Sequence, residues 1–188
     1  MSRAIGNVIG IDDAPFERSY RGDVMVVGAV FSRTRLDGVV RAYVRRDGVN
    51  ATRRIVEMVE GHQFREHIRA VLLQGIAVAG FNVVDIHELC RSLKRPVLVV
   101  TRRRPDLDAV RRALLERTPG GSRKWKLIER AGLMEPVGKL YVQRAGLSLA
   151  EAAAMLKVTT LHGLLPEPLR VAHLIAGGIA TGASRGHA

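Results

Sequence analysis

Cysteine is almost absent from this 188-residue chain, Cys90 being the only one. A single thiol excludes an internal disulfide and fits a reducing, cytoplasmic setting. It also leaves too few thiolates for a sulfur-based metal site, and His87-Glu88-Leu89-Cys90 has no recognised ligand spacing. Aromatic residues make up only 4%, so the core has to be built from Val, Leu, Ile and Ala. No uncharged apolar run reaches the roughly 18 residues a membrane span needs. VAHLIAGGIATGA comes nearest, but it is short and diluted by Gly and Thr. The N-terminal MSRAIGNVIGID lacks the apolar stretch of a secretory signal. A cytoplasmic protein without a membrane segment is expected.

Acidic residues are scarce beside basic ones. Eighteen Asp and Glu face 30 Lys and Arg, a formal net charge of +12. Arg supplies 25 of the cations and Lys five. The planar guanidinium favours bidentate contact with phosphate, and a basic surface attracts polyanions by releasing their counterions. An Arg-rich genome gives the same excess without any such role. Clusters stand at Arg45-Arg46, Arg53-Arg54, Arg102-Arg103-Arg104 and Arg111-Arg112. DNA or RNA is the partner this charge points to.

The chain reads as one domain over residues 1–188, long enough for a substantial core. AIGNVIGI (4–11) reads as a strand broken by DDAPF. The Val-rich run 23–32 suits a buried central strand, and 36–46 alternates apolar and basic residues as a strand with one wet face does. The short links between them indicate antiparallel pairing. A helix opens near Asn50, a candidate cap. VLLQG is a fourth strand, and 82–93 reads as a helix capped by Asn82 with Val83, Ile86, Leu89, Cys90 and Leu93 on one face. PVLVVT (96–101) is a fifth strand, so strand, helix and strand should form a parallel right-handed unit. Helices follow at DLDAVRRALLER and SRKWKLIERAG, in the latter of which Trp125 is a packing anchor. KLYVQRA is a late strand. Ser148 and Glu151 form a capping box for the next helix, and the closing helix PEPLRVAHLIAGGIA carries Pro168 in its first turn. This order is that of the α/β ribonuclease H-like fold: a mixed sheet of three antiparallel strands followed by parallel ones, flanked by helices. Sites in that fold lie where the first strand meets the fourth, and carboxylates there gather hard, oxygen-seeking divalent ions.

IGIDDAPF, LDGVVRAYVRRDGVNAT, VLLQGIAVAGFNVVDI, YVQRAGLS and LPEPLRVAHLIA together resemble an archaeal family of unassigned function related to endonuclease V. The resemblance covers nearly the whole chain, from Ile9 to about Ala188. Endonuclease V cleaves a phosphodiester near deoxyinosine or inosine with Mg²⁺ and a carboxylate set, so the resemblance implies Mg²⁺ or Mn²⁺ as cofactor. It matches Asp12 to the first metal-binding Asp and Asp13 to an acidic position typical of the family. A turn before Pro15 that bonds its own backbone would explain both without a site. A second carboxylate is implied near Asp47–Asn50, where this chain has Asn50, a residue a helix cap would equally explain. The third falls at Gln74, a departure from the Leu-Asp-Gly of relatives. Gln offers a carbonyl oxygen but no charge. Arg102 falls where endonuclease V has a Lys after its fifth strand. Its catalytic His would lie near the late strand, where Arg144-Ala145 stands instead, and its Pro-Tyr-Ile-Pro wedge has no counterpart.

Asp85, by helix geometry, faces the same end of the sheet and is a further metal candidate, although the helix dipole alone would favour it there. The candidate catalytic set is therefore Asp12, Asp13, Gln74 and Arg102, and the candidate metal set is Asp12, Asp13, Asn50 and Asp85. Arg45, Arg46, Arg102, Arg103, Arg104 and Arg144 are the candidate nucleic-acid contacts. The leading reading is a nucleic-acid-binding protein with metal-dependent hydrolysis of modified, inosine-containing DNA or RNA. Neutral Gln74 and Asn50 favour the alternative of a binding protein that has lost catalysis. A nucleotide or small-molecule binder is the third class.

Overall fold

Three strands open the fold, and each is apolar where it faces a neighbour. They are β1 (Asn7–Asp13), β2 (Asp23–Ser32) and β3 (Arg35–Arg45), in a computed structural model that describes residues 5–184. β1 and β3 both pair antiparallel with β2. β1 runs through Asp12 and Asp13 rather than ending before them. The backbone pairing continues past the strand, since Ala14 N donates to Met25 O at 2.8 Å. The predicted break therefore comes later, at Pro15.

α1 (Ala51–Glu60) leads to β4 (Ala70–Gln74), a short hairpin of β5 (Ala77–Val78) and β6 (Asn82–Val83), α2 (Ile86–Leu93) and β7 (Val97–Thr101). β4 runs parallel to both β1 and β7. Then come α3 (Leu107–Arg117), α4 (Gly121–Ala131), β8 (Glu135–Val137), β9 (Leu140–Ala145), α5 (Leu149–Thr159) and α6 (Glu167–Thr181). The main sheet has the order β3-β2-β1-β4-β7-β9-β8, with β9 and β8 added antiparallel. It is the mixed sheet expected from the element order. Buried Val, Leu, Ile and Ala make up almost all of the core, with Phe31 the aromatic among the core side chains that are almost fully buried.

The helix expected at 82–93 starts later, at Ile86. Asp85 is its cap and accepts from Glu88 N at 3.0 Å. Asn82 sits in β6 and is fully buried. Its Oδ1 accepts from Ala51 N at 3.0 Å, so it caps α1 from across the fold. Its Nδ2 donates to Arg45 O and to Asn50 Oδ1, both at 2.8 Å. Asn50 holds the cap position of α1 but makes no side-chain cap bond; its Oδ1 also accepts from Arg45 N at 3.1 Å. The two asparagines thus exchange the roles their neighbours suggest, because a buried amide must satisfy every donor and acceptor it carries.

α6 lies across β1, β2 and β4. Gly10 makes that approach possible: a Cβ there would stand 2.3 Å from the Pro168 backbone. Strand alternation puts Asp12 on the same face as Gly10 and Asp13 on the opposite face. The capping box of α5 forms as expected, Ser148 Oγ accepting from Glu151 N and Glu151 bonding Ser148 N. Trp125 is half-buried against Leu114 and Ile128, with Nε1 donating to Glu129 at 2.7 Å.

Candidate active site

Asp12 is the penultimate residue of β1 and only 6% exposed. Its register partner across β2 is Val27. On the other side Ile11 stands opposite Leu73, so one step further Asp12 and Gln74 stand side by side at the carboxyl ends of β1 and β4. Gln74 Oε1 is buried and has no hydrogen-bond partner among the described residues. Native structures rarely leave such an acceptor unpaired.

The third member comes from α6. His173 Nδ1 lies 2.8 Å from Asp12 Oδ2. Burial pushes the Asp12 carboxyl above its usual range, and the His173 bond offsets part of that. The same bond holds the His173 imidazolium above its usual range, while burial and the nearby Arg102 guanidinium pull it back. Arg102 therefore stands close enough to the pair to be felt electrostatically.

The sequence had no place for this histidine. The resemblance implied one near β9, where Arg144 stands, and the structure supplies one from the closing helix. A signal was available: His173 falls in register with Leu169, Ala172 and Ala176, the buried stripe of α6. A titratable residue on an apolar helix face needs a partner, but the pattern cannot say which one.

Asp13 does something different. Its Oδ2 accepts from Ala79 N at 2.9 Å, on the face away from α6. Ala79 sits in the β5–β6 turn at φ +51°, a left-handed conformation that costs a non-glycine residue ~1–2 kcal/mol. Asp47 grips the same turn: its N donates to Ala79 O at 2.9 Å, and its Oδ1 accepts from Phe81 N at 2.8 Å. The buried Lys124 of α4 closes the clamp by donating to Asp47 O. Burial, together with the charge of Asp12, pushes Asp13 up to about 6.

The other candidates are engaged elsewhere. Asn50 is bound to Asn82 and Arg45 N. Asp85 caps α2 and pairs with Arg130. Neither is hydrogen-bonded to the Asp12–His173 pair; each is engaged in a local structural role. Arg144 grips Glu135 with two bonds, at 2.8 and 3.1 Å, and donates to Leu147 O at 2.8 Å. It ties β8 to β9, with little left for a ligand. Arg46 donates to Arg18 O and Tyr20 O, and Arg45 pairs loosely with Asp23 at 3.6 Å. Arg102, Arg103 and Arg104 are exposed just past β7.

Among the described residues no three His, Cys, Asp or Glu side chains gather to hold an ion. What is present is one carboxylate, one orphaned amide carbonyl and one histidine. Hard divalent ions take such oxygen donors and complete their shells with water, so the pair of Asp12 and Gln74 Oε1 fits one, with a charge fewer than a two-carboxylate site. Beyond Gln74 a cavity of about 240 Å³ opens between the β5–β6 hairpin and α3–α4, lined by Gly75, Phe81, Thr101, Leu107 and Gln143 among others.

Residues 5–180 match the family described as endonuclease dU. The chain belongs to the endonuclease dU family. Relatives in this family include a UPF0215 protein of Deinococcus radiodurans, 57% identical over 182 residues, covering 97% of this chain and 93% of the relative. Another, from Methanothermobacter thermautotrophicus, is 44% identical over 185 residues, covering 96% and 91%. A crystal structure of a protein of unknown function from Archaeoglobus fulgidus superposes with a TM-score of 0.86 at 36% identity, covering 92% of this chain and 97% of that one. Ciona intestinalis endonuclease V, solved with a 24mer DNA containing an inosine, superposes with a TM-score of 0.58 at 14% identity, covering 89% and 82%. That last likeness establishes the fold: the chain has the ribonuclease H-like architecture of endonuclease V.

Proposed function

We propose that this protein is a divalent-metal-dependent endonuclease acting on DNA that carries a deaminated base. The observation that carries the reading is the Asp12–His173 pair at the end of β1, with the buried, unpartnered carbonyl of Gln74 at the end of the neighbouring strand β4. Asp12 and Gln74 Oε1 would hold Mg²⁺ or Mn²⁺, which supplies the positive charge that phosphodiester hydrolysis needs at its attacking and leaving oxygens. His173, with Nδ1 turned to Asp12, keeps its other ring nitrogen for proton transfer. Its raised proton affinity suits donation to a leaving oxygen near neutral pH. Arg102 adds charge for the phosphate, and Asp13 fixes the hairpin that walls the adjoining cavity.

The family description supports deoxyuridine as the first base to test. The endonuclease V structure with inosine-containing DNA supports deoxyinosine as the second. Oligonucleotides with one such base should be nicked with Mg²⁺ or Mn²⁺ and not with EDTA. Cleavage should vanish in Asp12→Ala and fall about 10²-fold in His173→Ala, the usual worth of a proton-transfer group. Absence of cleavage across deoxyuridine, deoxyinosine and abasic substrates in DNA and RNA would sink the proposal.

A second reading, binding without catalysis, is favoured by neutral Gln74. Losing one negative charge weakens a divalent site. Gln74→Asp decides between them: cleavage gained only in the variant would mark the natural site as disarmed.

A further inference from the structure

At Pro15, three residues past Asp12, the chain leaves the sheet and forms one wall of a groove of about 470 Å³. Its floor is mostly aromatic and apolar, with Phe16, Tyr20, Met25 and Tyr43 closed by Ile179 and Ala180 of α6, and Glu17, Ser19 and Asp23 also line it. The chain has only eight Phe, Trp and Tyr residues in all, and three of them line this groove. Two of these rings already carry a guanidinium: Arg46 lies 5.3 Å from the centre of Phe16, and Arg41 lies 5.3 Å from that of Tyr43.

The rings are held in place before any ligand arrives. The hydroxyl end of Tyr20 packs on Gly22, where a Cβ would stand 2.3 Å from the hydroxyl oxygen. That hydroxyl donates to Asp23 O at 2.8 Å, and the ring is nonetheless 43% exposed. Tyr43 accepts from Arg41 Nη1 at 2.6 Å and is 42% exposed. Exposed rings pinned by hydrogen bonds lose little freedom when something stacks on them.

We infer that this groove is a stacking track for unpaired bases of a DNA strand, guiding the strand to or from the Asp12–His173 site. The inference rests on the nuclease reading above. Aromatic rings beside arginines bind single strands whatever their sequence, since every base has a π face. Charge decides for a nucleic acid over a second copy of this chain. Arg46 and Arg41 stand over the rings of Phe16 and Tyr43, Arg21 bonds the backbone of Tyr20 and Arg45 pairs with Asp23, four cations against Glu17 and Asp23 of the lining, and two chains of +12 repel. Distance sets the register. From His173 to Ile179 is six residues of helix, about 9 Å at 1.5 Å per residue. That is two to three nucleotide steps at about 3.4 Å each, so the track serves bases two or more positions from the cleaved bond.

The test is fluorescence anisotropy with labelled single strands of four and twelve nucleotides, each carrying one deoxyuridine, in EDTA so that cleavage plays no part. Tyr20→Leu and Tyr43→Leu keep apolar bulk and remove the π face. Each should weaken binding of the twelve-nucleotide strand about fivefold or more and leave the four-nucleotide strand within twofold. Tyr20→Phe, which keeps the ring, should bind as the native protein does. Weakened long-strand binding in the Leu variants with native affinity in Asp12→Ala would uphold the track whether or not the protein cleaves. Leu variants that bind the twelve-nucleotide strand as tightly as the native protein does would overturn it. So would a native dimer that Tyr43→Leu converts to monomer with no change in DNA affinity, because the groove would then be an interface between copies.

Discussion

At the scale of single residues, two adjacent aspartates have opposite surroundings. Asp12 meets a histidine; Asp13 meets a backbone amide and the charge of its neighbour. Asp13 is carried up to about 6 from 3.8. Its folded form therefore holds a proton where the unfolded chain has lost it, so its contribution to stability is present below 3.8 and is lost as pH rises through about 6. Two units correspond to roughly 3 kcal/mol. Asp13→Asn, which keeps an acceptor for Ala79 N, should raise Tm at pH 8 in EDTA by several degrees and leave it nearly unchanged at pH 4. Thermal melts at the two pH values check this; an Asn variant that melts lower at pH 8 would contradict it. His173 runs the other way in its partner. Asp12→Asn should lower the pKa of the imidazole, followed by NMR titration of the His173 ring protons, because the bond to Asp12 is the main cause of its elevation.

At the scale of elements, the site depends on how closely α6 approaches β1. Gly10→Ala would drive a methyl group into the Pro168 backbone. A helix cannot yield there as a flexible side chain can, so the cost should be about 1–3 kcal/mol or more, and His173 should lose its elevated pKa along with its partner. The hairpin of β5 and β6 is the second such element. Asn82→Ala removes a buried amide that serves Ala51 N, Arg45 O and Asn50 Oδ1. Leaving these groups unpaired should cost about 2–4 kcal/mol, measured by denaturant unfolding. An effect below about 1 kcal/mol would mean that water replaces the amide.

At the scale of the whole molecule, charge governs encounter. With +12 overall and exposed Arg102, Arg103 and Arg104 beside the site, DNA affinity should fall steeply with salt. A single strand touching about four phosphates gives a slope near −3 in log K against log salt. A flat salt dependence would point instead to a small-molecule ligand. No helix among the described residues is long and apolar enough to cross a membrane.

The periodic signals in the sequence were sufficient for β1 to β4, β7 and β9, but not for the three-residue β8 or the two-residue β5 and β6, which are too short to show a period. Val-rich runs, alternation in β3 and the strand–helix–strand unit give the element order, and the fold that has this order sets β1 beside β4. They do so because burial imposes its period on the chain residue by residue. Caps at Ser148 and Glu151 were legible for the same reason: both partners lie within one turn. What only the tertiary structure decided are pairings across long stretches of chain. His173 reaches Asp12 across 161 positions, Asn82 caps a helix that begins 31 residues earlier, and Asp13 bonds a turn 66 residues away. Each of these polar side chains has a plausible local use, as a surface residue, a cap or a turn former. Helix docking and burial choose the distant partner, because a polar group taken out of water must bond whatever the packed fold brings within reach.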